Sequence, residues 1–494
     1  MKKKRTLFLL FALFAFSSFI QAQEVDLNKV FEEFQQQQQQ EFNNFKNKAD
    51  EEFSAFLRET WEKFEVKEPI PAPLRPEPVE PTVFDDKTPA PAPVQVKPRK
   101  PASTTPTRPT PGKYVSDEPY VPVKIDKPVV PPSPNHPVDR TAIRLYGTSF
   151  YISTNAISRF SLKGIGEGNV ADAWSALCKA DHELLINDCM TLKEEKRLSD
   201  WGYIQLTRQI GEQLYGARRT NDIAFLQMFI LSKSGYKVRL AKINEQLKLL
   251  IAPSGIMYGL PYITLSSTKF YVVEPLKQSG GSIYTYPQEF ANARNYVSLF
   301  LHAVPGFDHV SYTRELNARN GLSVQTVVNK NLIDFYKDYP LCGVPPHYKA
   351  PMSDELCQSL YPPLRAAIQG KLQKEAANIL INFVQTAFDY KTDGEQFGYE
   401  KPNFPEENFY YPYNDCEDRA MLYATLVKDM LGLEVVLLDY PGHIASAVCF
   451  TEDIPGDNVL IDGRKYLICD PTYIGASIGM CMSEYRNIMP TIIK

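Results

Sequence analysis

The last quarter of the chain has the clearest pattern of apolar and polar positions. Between Cys416 and Gly432 apolar residues recur at helical spacing, which predicts an amphipathic helix that ends at the glycine. Two strand-like runs follow, at residues 434–438 and 443–450, and a third covers residues 465–470. The pattern therefore predicts a helix packed on antiparallel strands, which is an α+β fold.

A similar order of elements occurs 197 residues earlier. A helical run begins at Arg219 and ends at Gly235, as the later helix ends at Gly432 (432 − 235), and strand-like runs follow it. The Lys-aromatic-x-x-x-acid-Pro strand recurs at an interval one residue shorter, and a further helix precedes the helical run in each copy, at residues 200–214 and 375–388. We interpret these stretches as tandem domains at residues 141–275 and 374–494.

The segment between the two copies, residues 276–373, is predicted to be a β-rich element. Residues 296–303 and 323–336 have the composition of strands, and residues 353–370 have helical spacing. Its histidines lack metal-ligand spacing, so we expect no chemistry in this element.

A proline-rich stretch precedes the first copy. Residues 67–140 hold 21 of the 39 prolines and few large apolar residues. Such a segment cannot offset its ordering entropy by burial, which predicts a disordered linker.

Residues 23–66 carry a phenylalanine repeat of eleven residues. The phenylalanines on this stripe are Phe31, Phe34, Phe42, Phe45, Phe53, Phe56 and Phe64. Eleven residues over three turns place them on one side of a helix and favour a right-handed coiled coil. We predict an amphipathic helical arm that self-associates or contacts the cell envelope. The alternative, a low-complexity glutamine-rich tail, accounts for residues 35–40 but not for the spacing.

The first 22 residues have the form of a secretory signal peptide. A charged run, Lys2 to Arg5, precedes an apolar stretch that is too short to span a membrane. Loss of these four charges takes the formal net charge from −4 to −8, which argues against a nucleic-acid partner. The mature protein is predicted to be exported, in a periplasm or outside the cell.

The chain has eight cysteines, too few for a disulfide scaffold of this length. The core must therefore come from packing. Cys178 with Cys189, and Cys342 with Cys357, are close enough in sequence for local disulfides.

Three residues of the second copy suit a thiol triad. Cys416 opens the predicted helix, where the positive end of the helix dipole favours a nucleophilic thiolate. His443 begins one predicted strand and Asp470 ends another. If the strands are antiparallel neighbours, His443 can take the thiol proton while Asp470 fixes its tautomer.

The run Asp-Cys-Glu-Asp at 415–418, followed by the histidine and the Asp-Pro, resembles the transglutaminase-like superfamily of papain-like folds. It is most similar to bacterial transglutaminase-like cysteine proteinases, which are exported. The resemblance covers roughly residues 374–480 and implies a catalytic set of Cys416, His443 and Asp470. It departs from eukaryotic transglutaminases, which usually carry a tryptophan just after the histidine, where this chain has Ile444.

The first copy has Arg219, Gln246 and Glu274 at the corresponding positions. None of these can serve as a thiol nucleophile or as an imidazole base, so we predict a degenerate, inactive domain. Arg219 and Glu274 are expected to form an ion pair in place of the triad.

These patterns predict an exported cysteine hydrolase that acts on amide bonds of a protein or peptide, as a protease or amidase. The alternatives are a non-enzymatic envelope scaffold built on transglutaminase-like modules, and a protein transamidase. The aromatic loop from Gly394 to Tyr413 is long enough to wall a substrate groove, although its rings equally suit a structural role.

No cofactor is expected to be required for this chemistry. The resemblance implies calcium as an option, because acidic residues beside the cysteine can bind Ca²⁺ in the resembled proteinases. Asp415 and Glu417 hold those positions, and they equally suit the helix dipole.

Overall fold

The computed structural model describes residues 37, 47–73, 122–128, 140–180, 182–274 and 282–494. The predicted signal peptide, most of the predicted arm and most of the predicted linker lie outside these residues. The described chain has the mixed α+β composition that the sequence predicts.

The helices are α1 (residues 47–57), α2 (Glu167–Lys179), α3 (His182–Glu195), α4 (Asp200–Tyr215), α5 (Thr220–Lys233), α6 (Lys330–Lys337), α7 (Val344–Tyr348), α8 (Asp354–Ile368), α9 (Gln373–Thr386), α10 (Asp393–Gln396), α11 (Glu407–Tyr410) and α12 (Cys416–Leu431). The first strands are β1 (Glu62–Glu65), β2 (Arg140–Leu145), β3 (Thr148–Ser153), β4 (Val238–Ile243), β5 (Gln246–Ile251), β6 (Tyr262–Leu265), β7 (Thr268–Val272) and β8 (Ser282–Thr285). The later strands are β9 (Ser311–Asn317), β10 (Ser323–Asn329), β11 (Asp389–Tyr390), β12 (Tyr413–Asn414), β13 (Glu434–Tyr440), β14 (His443–Cys449), β15 (Asn458–Ile461), β16 (Arg464–Cys469) and β17 (Thr491–Ile493).

The first large sheet has the strand order β1-β8-β4-β5-β7-β6, with antiparallel pairs throughout. Helix α5 packs on β4 and β5. Its residues from Asp222 to Ser232 are all buried, as expected for a helix that is apolar on nearly every side.

The second large sheet has the order β15-β16-β14-β13-β17, again antiparallel. Helix α12 packs on β13 and β14, and the hydroxyl of Ser446 donates to the carbonyl of Ala420 at 2.9 Å. A cluster of buried side chains completes this half: Val436, Leu438, Tyr440, Ala445, Ala447, Val459, Tyr466, Ile468, Cys481, Met482 and Tyr485.

The two sheets share one strand order. In the first, β4, β5, β7 and β6 are successive neighbours, as β13, β14, β16 and β15 are in the second. An antiparallel fifth strand pairs with the first strand of each group, β8 with β4 and β17 with β13.

The pairing registers of the two sheets agree as well. Val238 lies opposite Ile251 and Val435 opposite Val448, so both positions differ by 197 residues. The second hairpins agree at a shift of 196 residues: Tyr262 lies opposite Tyr271, and Asn458 opposite Leu467.

The predicted helical arm is wrong at its C-terminal end. Helix α1 ends at residue 57, and Glu62–Glu65 forms strand β1, which pairs with β8. Phe64 packs against the core of the first sheet, because a strand at the sheet edge gives this ring an apolar surface that a detached helix lacks. Phe64 therefore does not belong to a helical stripe; residues 23–36 and 38–46 lie outside the described residues.

The predicted linker is also too long, since several of its described residues are hydrogen-bonded to the folded region. The N–H of Lys67 donates to the carbonyl of Tyr262 at 2.8 Å. The N–H of Val123 donates to the side chain of Asn295 at 2.7 Å, and residue 140 is already in strand β2. Backbone groups next to an open sheet edge find partners there, which composition alone does not reveal.

The region between the sheets was predicted with mixed success. Helix α8 confirms the predicted helix at 353–370. Residues 296–303 are not a strand, because the backbone forms only isolated bridges there and the N–H of Ser298 donates to the carboxylate of Asp200. The strand expected at 323–336 ends at Asn329, whose side chain caps helix α6.

None of the eight cysteines, all within the described residues, forms a disulfide. The predicted bridges Cys178–Cys189 and Cys342–Cys357 are therefore wrong. Cys189 and Cys342 are instead buried as small apolar side chains.

Among the described residues, no helix combines the length and the apolar character that crossing a membrane requires.

Candidate active site

The start of helix α12 is fixed by its cap and by a short strand. Asn414 in β12 pairs with Tyr390 in β11, which anchors the chain just before the helix. The carboxylate of Asp415 accepts a hydrogen bond from the N–H of Asp418, so the helix begins at Cys416. At the other end Gly432 has φ 65°, a left-handed conformation that stops the helix as predicted.

A tight turn positions His443. Tyr440 pairs with His443 across a two-residue loop, Pro441-Gly442, in which the glycine has φ 81°. Proline fixes its own φ, and glycine supplies the positive φ that the next position needs. His443 therefore begins β14 at a defined place.

Asp470 lies directly after strand β16. Ser446 of β14 lies opposite Cys469, and extending this register puts Asp470 opposite Ala445. In this register the position directly opposite His443 is Thr472, two residues beyond Asp470. A shift of two keeps both side chains on the same face of the sheet, so they still meet diagonally.

The structure brings the three predicted residues together. The Nε2 of His443 lies 2.8 Å from Oδ2 of Asp470. Burial lowers the pKa of His443, but the charge and hydrogen bond of Asp470, together with a hydrogen bond and charge from Cys416, raise it to about 10. Cys416, His443 and Asp470 are only 6%, 2% and 3% exposed.

Asp470 is held from several sides. Its Oδ1 accepts from the N–H of Thr472 at 2.9 Å, which leaves Oδ2 for the imidazole. Gln385 of helix α9 donates to the carbonyls of Tyr473 and Ala476 at 2.8 and 3.0 Å, and so fixes the loop that follows. Sequence patterns gave no sign of Gln385, because its partners are backbone atoms about 90 residues away.

Two tyrosine rings lie against the imidazole. The ring of Tyr485 is stacked on His443, with centroids 4.8 Å apart and planes 21° apart. Tyr440 lies near both rings, 5.1 Å from Tyr485 and 6.4 Å from His443. Sequence reasoning missed both tyrosines, since neither lies in a periodic pattern that points to the site.

A cluster of mostly buried carboxylates lies beside Cys416. Ligand atoms of Asp393, Asp415 and Asp418 are within 4.8 Å of one another, and those of Asp393, Glu400 and Glu417 form a second such group. Burial first, and then the neighbouring carboxylates, raise the pKa of Asp393 to about 9 and that of Asp418 to about 8. Asp393 and Asp418 therefore lie close to Asp415 and Glu417, the two acidic residues next to Cys416 in the sequence.

Arg419 is a buried cation close to this cluster. It is 1% exposed, and its NH2 donates to the carbonyl of Phe388 at 2.8 Å. Its guanidinium lies 5.2 Å from the ring of Tyr390.

The aromatic loop before Cys416 has both buried and accessible rings. Phe404 and Phe409 are buried in the core. Tyr399 is exposed, and Tyr410 and Tyr411 are half-buried. These outer rings can therefore contact a bound molecule, whereas the inner ones hold the loop.

The corresponding residues of the first sheet are not brought together in this way. Arg219 pairs with Asp222 at 2.6 Å, and Glu274 pairs with Lys248. The predicted ion pair between Arg219 and Glu274 is therefore wrong, because each residue has a closer partner in its own surroundings. Gln246 is exposed at the start of β5.

Searches of protein-family models, of curated proteins and of solved structures find no match to this chain.

The pKa of His443 predicts a pH dependence of stability. The folded-state pKa of about 10 lies above the ordinary value of 6.5, so the contribution of His443 is full below pH 6.5 and is lost as pH rises to about 10. We expect this contribution to be on the order of 5 kcal/mol. Urea unfolding of the wild type and of His443→Gln at pH 6, 8 and 10 measures it. If the free energies of unfolding of the two proteins changed with pH in the same way, the prediction would be contradicted.

Proposed function

We propose that this protein is a transglutaminase-like cysteine hydrolase that cleaves amide bonds in proteins or peptides. The observation that carries the proposal is the buried His443–Asp470 hydrogen bond of 2.8 Å beside Cys416 at the start of a helix. Such an arrangement supports a thiol nucleophile, a base and a residue that orients the base.

In the proposed reaction His443 accepts the proton of the Cys416 thiol while the sulfur attacks the substrate carbonyl. Backbone N–H groups at the start of α12 stabilise the oxyanion, because they point along the helix axis. The C–N bond then breaks, the amine leaves with the proton from His443, and a thioester remains on Cys416. Water, deprotonated by His443, attacks the thioester and releases the acid and the thiol.

The orientation of the imidazole supports these roles. Asp470 accepts from Nε2, which leaves Nδ1 for exchange with the thiol. The raised pKa of His443, about 10, favours transfer of the thiol proton to the imidazole, which can then deliver it to the leaving amine.

We also propose that residues 141–275 and 374–494 are copies of one papain-like fold, of which the first is degenerate. The shared strand order and the pairing registers, shifted by 197 and 196 residues, support duplication. Core packing keeps a register, since a slip of one residue would turn every apolar side chain outward, whereas site residues are under no such constraint.

The location of the protein and two alternative functions are also proposals. Residues 1–22 support export to a periplasm or to the outside of the cell. A non-enzymatic scaffold is the second candidate function, and the lack of the triad residues in the first sheet favours it. Transamidation differs from hydrolysis only in the acceptor, an amine in place of water.

Labelling of Cys416 tests the hydrolase proposal. A peptide-based electrophilic probe should modify Cys416 at pH 7, and His443→Ala should reduce the labelling rate at least about 100-fold. Cys449→Ser is a matched control, because Cys449 lies at the far end of the strand that begins with His443. Mass spectrometry of the peptide with Cys416 measures the rate. Equal labelling of the wild type and of His443→Ala would favour the scaffold.

We further propose a calcium site in the buried carboxylate cluster. Carboxylate oxygens are the ligands that Ca²⁺ prefers, and the oxygens of Asp393, Asp415 and Asp418 already converge in a buried place where their charges repel. A bound cation would relieve that repulsion and hold the helix start and the α10 segment together.

Calorimetry and thermal unfolding test the calcium site. Calcium at about 100 times its dissociation constant should stabilise the protein by about 2.7 kcal/mol. Asp393→Asn should remove the effect, whereas Asp462→Asn, at an exposed turn, should keep it. If calcium gives neither heat nor a melting shift, the proposal fails.

A further inference from the structure

The segment from Ile478 to Arg486 crosses the face of the second sheet that carries His443. The N–H of Gly479 donates to the carbonyl of Ile468 at 2.7 Å. Asp457 accepts from the N–H of Cys481 and from Arg486 at 3.0 and 3.2 Å. This crossing segment is therefore tied to the sheet at both ends.

A close backbone approach fixes the segment further. A methyl group added to Gly456 would lie 2.6 Å from the Cα of Gly479, so the two glycines let the chains touch. Because the backbone is held on both sides, Tyr485 has little freedom to leave the imidazole.

The surroundings of His443 consist of a few groups from four elements. Asp470 follows β16 and Cys416 begins α12, and both of these ionisable residues raise the pKa of the imidazole. Tyr440 comes from β13 and Tyr485 from the crossing segment. Burial, with smaller effects of Glu484, Cys416 and Asp470, raises the pKa of Tyr485 to about 12, so its ring is neutral.

We propose that Tyr485 is a positioning residue for the imidazole of His443, an inference that rests on the proposed hydrolase function. Its ring face, stacked 4.8 Å from the imidazole at 21°, fixes the plane in which Nε2 meets Asp470 and Nδ1 meets the thiol. The negative face of an aromatic ring also stabilises an imidazolium by a cation–π interaction. The ring, itself 6% exposed, further keeps water from the His443–Asp470 hydrogen bond.

Titration of His443 in variants of residue 485 tests this inference. The chain has six histidines, so the purified protein labelled with ¹³C at the histidine Cε1 gives few NMR signals, and His443→Gln identifies the one from His443. Tyr485→Phe keeps the ring and should titrate as the wild type does. Tyr485→Met keeps a similar volume without a ring, and should lower the pKa of His443 by about half to one unit. Met489→Ala, exposed in the same part of the chain, is the matched control.

A second readout follows the thiol itself. The upper pKa in the pH–rate profile of Cys416 carbamidomethylation by iodoacetamide should move down by the same amount in Tyr485→Met. If that variant does not fold, pentafluorophenylalanine at position 485 keeps the shape of a ring and reverses its quadrupole, and it should produce the same shift.

The outcomes separate this inference from the proposed function. The NMR titration needs no hydrolase activity, so it reports on Tyr485 even if Cys416 fails the labelling test. An unchanged His443 titration in Tyr485→Met, or in the fluorinated variant, would overturn the positioning role and leave the hydrolase proposal standing. If the pKa of His443 falls in these variants but not in Tyr485→Phe, the positioning role of Tyr485 is supported.

Discussion

Replacing Asp470 with asparagine should slow the reaction of Cys416 by about three to four orders of magnitude at neutral pH. Oδ1 of Asp470 accepts from the N–H of Thr472, and Oδ2 accepts from Nε2 of His443. Thr472 requires an acceptor, so the amide oxygen of an asparagine would stay with it and the NH₂ group would face the imidazole. Nε2 would then have to accept a hydrogen bond, and the proton of the neutral ring would move to Nδ1, where it blocks uptake of the thiol proton.

This expectation has a matched control and a direct measurement. Asp453→Asn removes an exposed carboxylate, 97% accessible and paired with Lys465, and should leave the rate unchanged. The rate is measured with the electrophilic probe, and the pKa of His443 by NMR should fall below its value of about 10 in Asp470→Asn. A reaction rate within tenfold of the wild type would show that the carboxylate does not orient the imidazole.

The second large effect concerns stability. Arg419→Met should lower the free energy of unfolding by about 3 to 5 kcal/mol, because it leaves two buried carbonyl groups without their donor and removes a buried cation from beside the carboxylates. The guanidinium donates to the carbonyls of Phe388 and Gln385 and lies near Asp415 and Asp418. Methionine fills the volume but leaves the carbonyls without their donor.

Urea unfolding at pH 7 measures this change, with Arg464→Met as the control. Arg464 is exposed and pairs with Glu434 on the surface, so its loss should leave the unfolding transition where it is. Arg419→Lys keeps the charge without the planar donor geometry and should fall between the two. A loss of less than about 1 kcal/mol in Arg419→Met would show that neither the hydrogen bonds nor the charge of the guanidinium stabilises the fold appreciably.

The elements that sequence predicts well here are those set by local chemistry. Helix α12 ends at Gly432 and β14 begins after Pro441-Gly442, because glycine and proline restrict the backbone at those positions. These boundaries place Cys416 at the start of the helix and His443 at the start of the strand.

What the sequence does not reveal depends on distant partners. The register of β14 on β16 does not follow from the sequence, since strands separated by a loop are aligned by packing rather than by a turn. Tyr485 and Asp393 reach the site from segments with no periodic pattern. Phe64 fits an eleven-residue helical repeat but lies in a strand, because pairing with β8 offers burial that the repeat cannot.

The compact order of α12, β13 and β14 along the chain has a consequence for the way the protein folds. Cys416 and His443 lie within one uninterrupted stretch that ends at Cys449, and its parts are joined by tight connections. Contacts between residues close in sequence form at a small entropic cost, so this stretch should acquire its tertiary contacts early. Tyr485 joins from farther along the chain. A newly made molecule would therefore pass through a stage in which the thiol and the imidazole have met but nothing yet covers them.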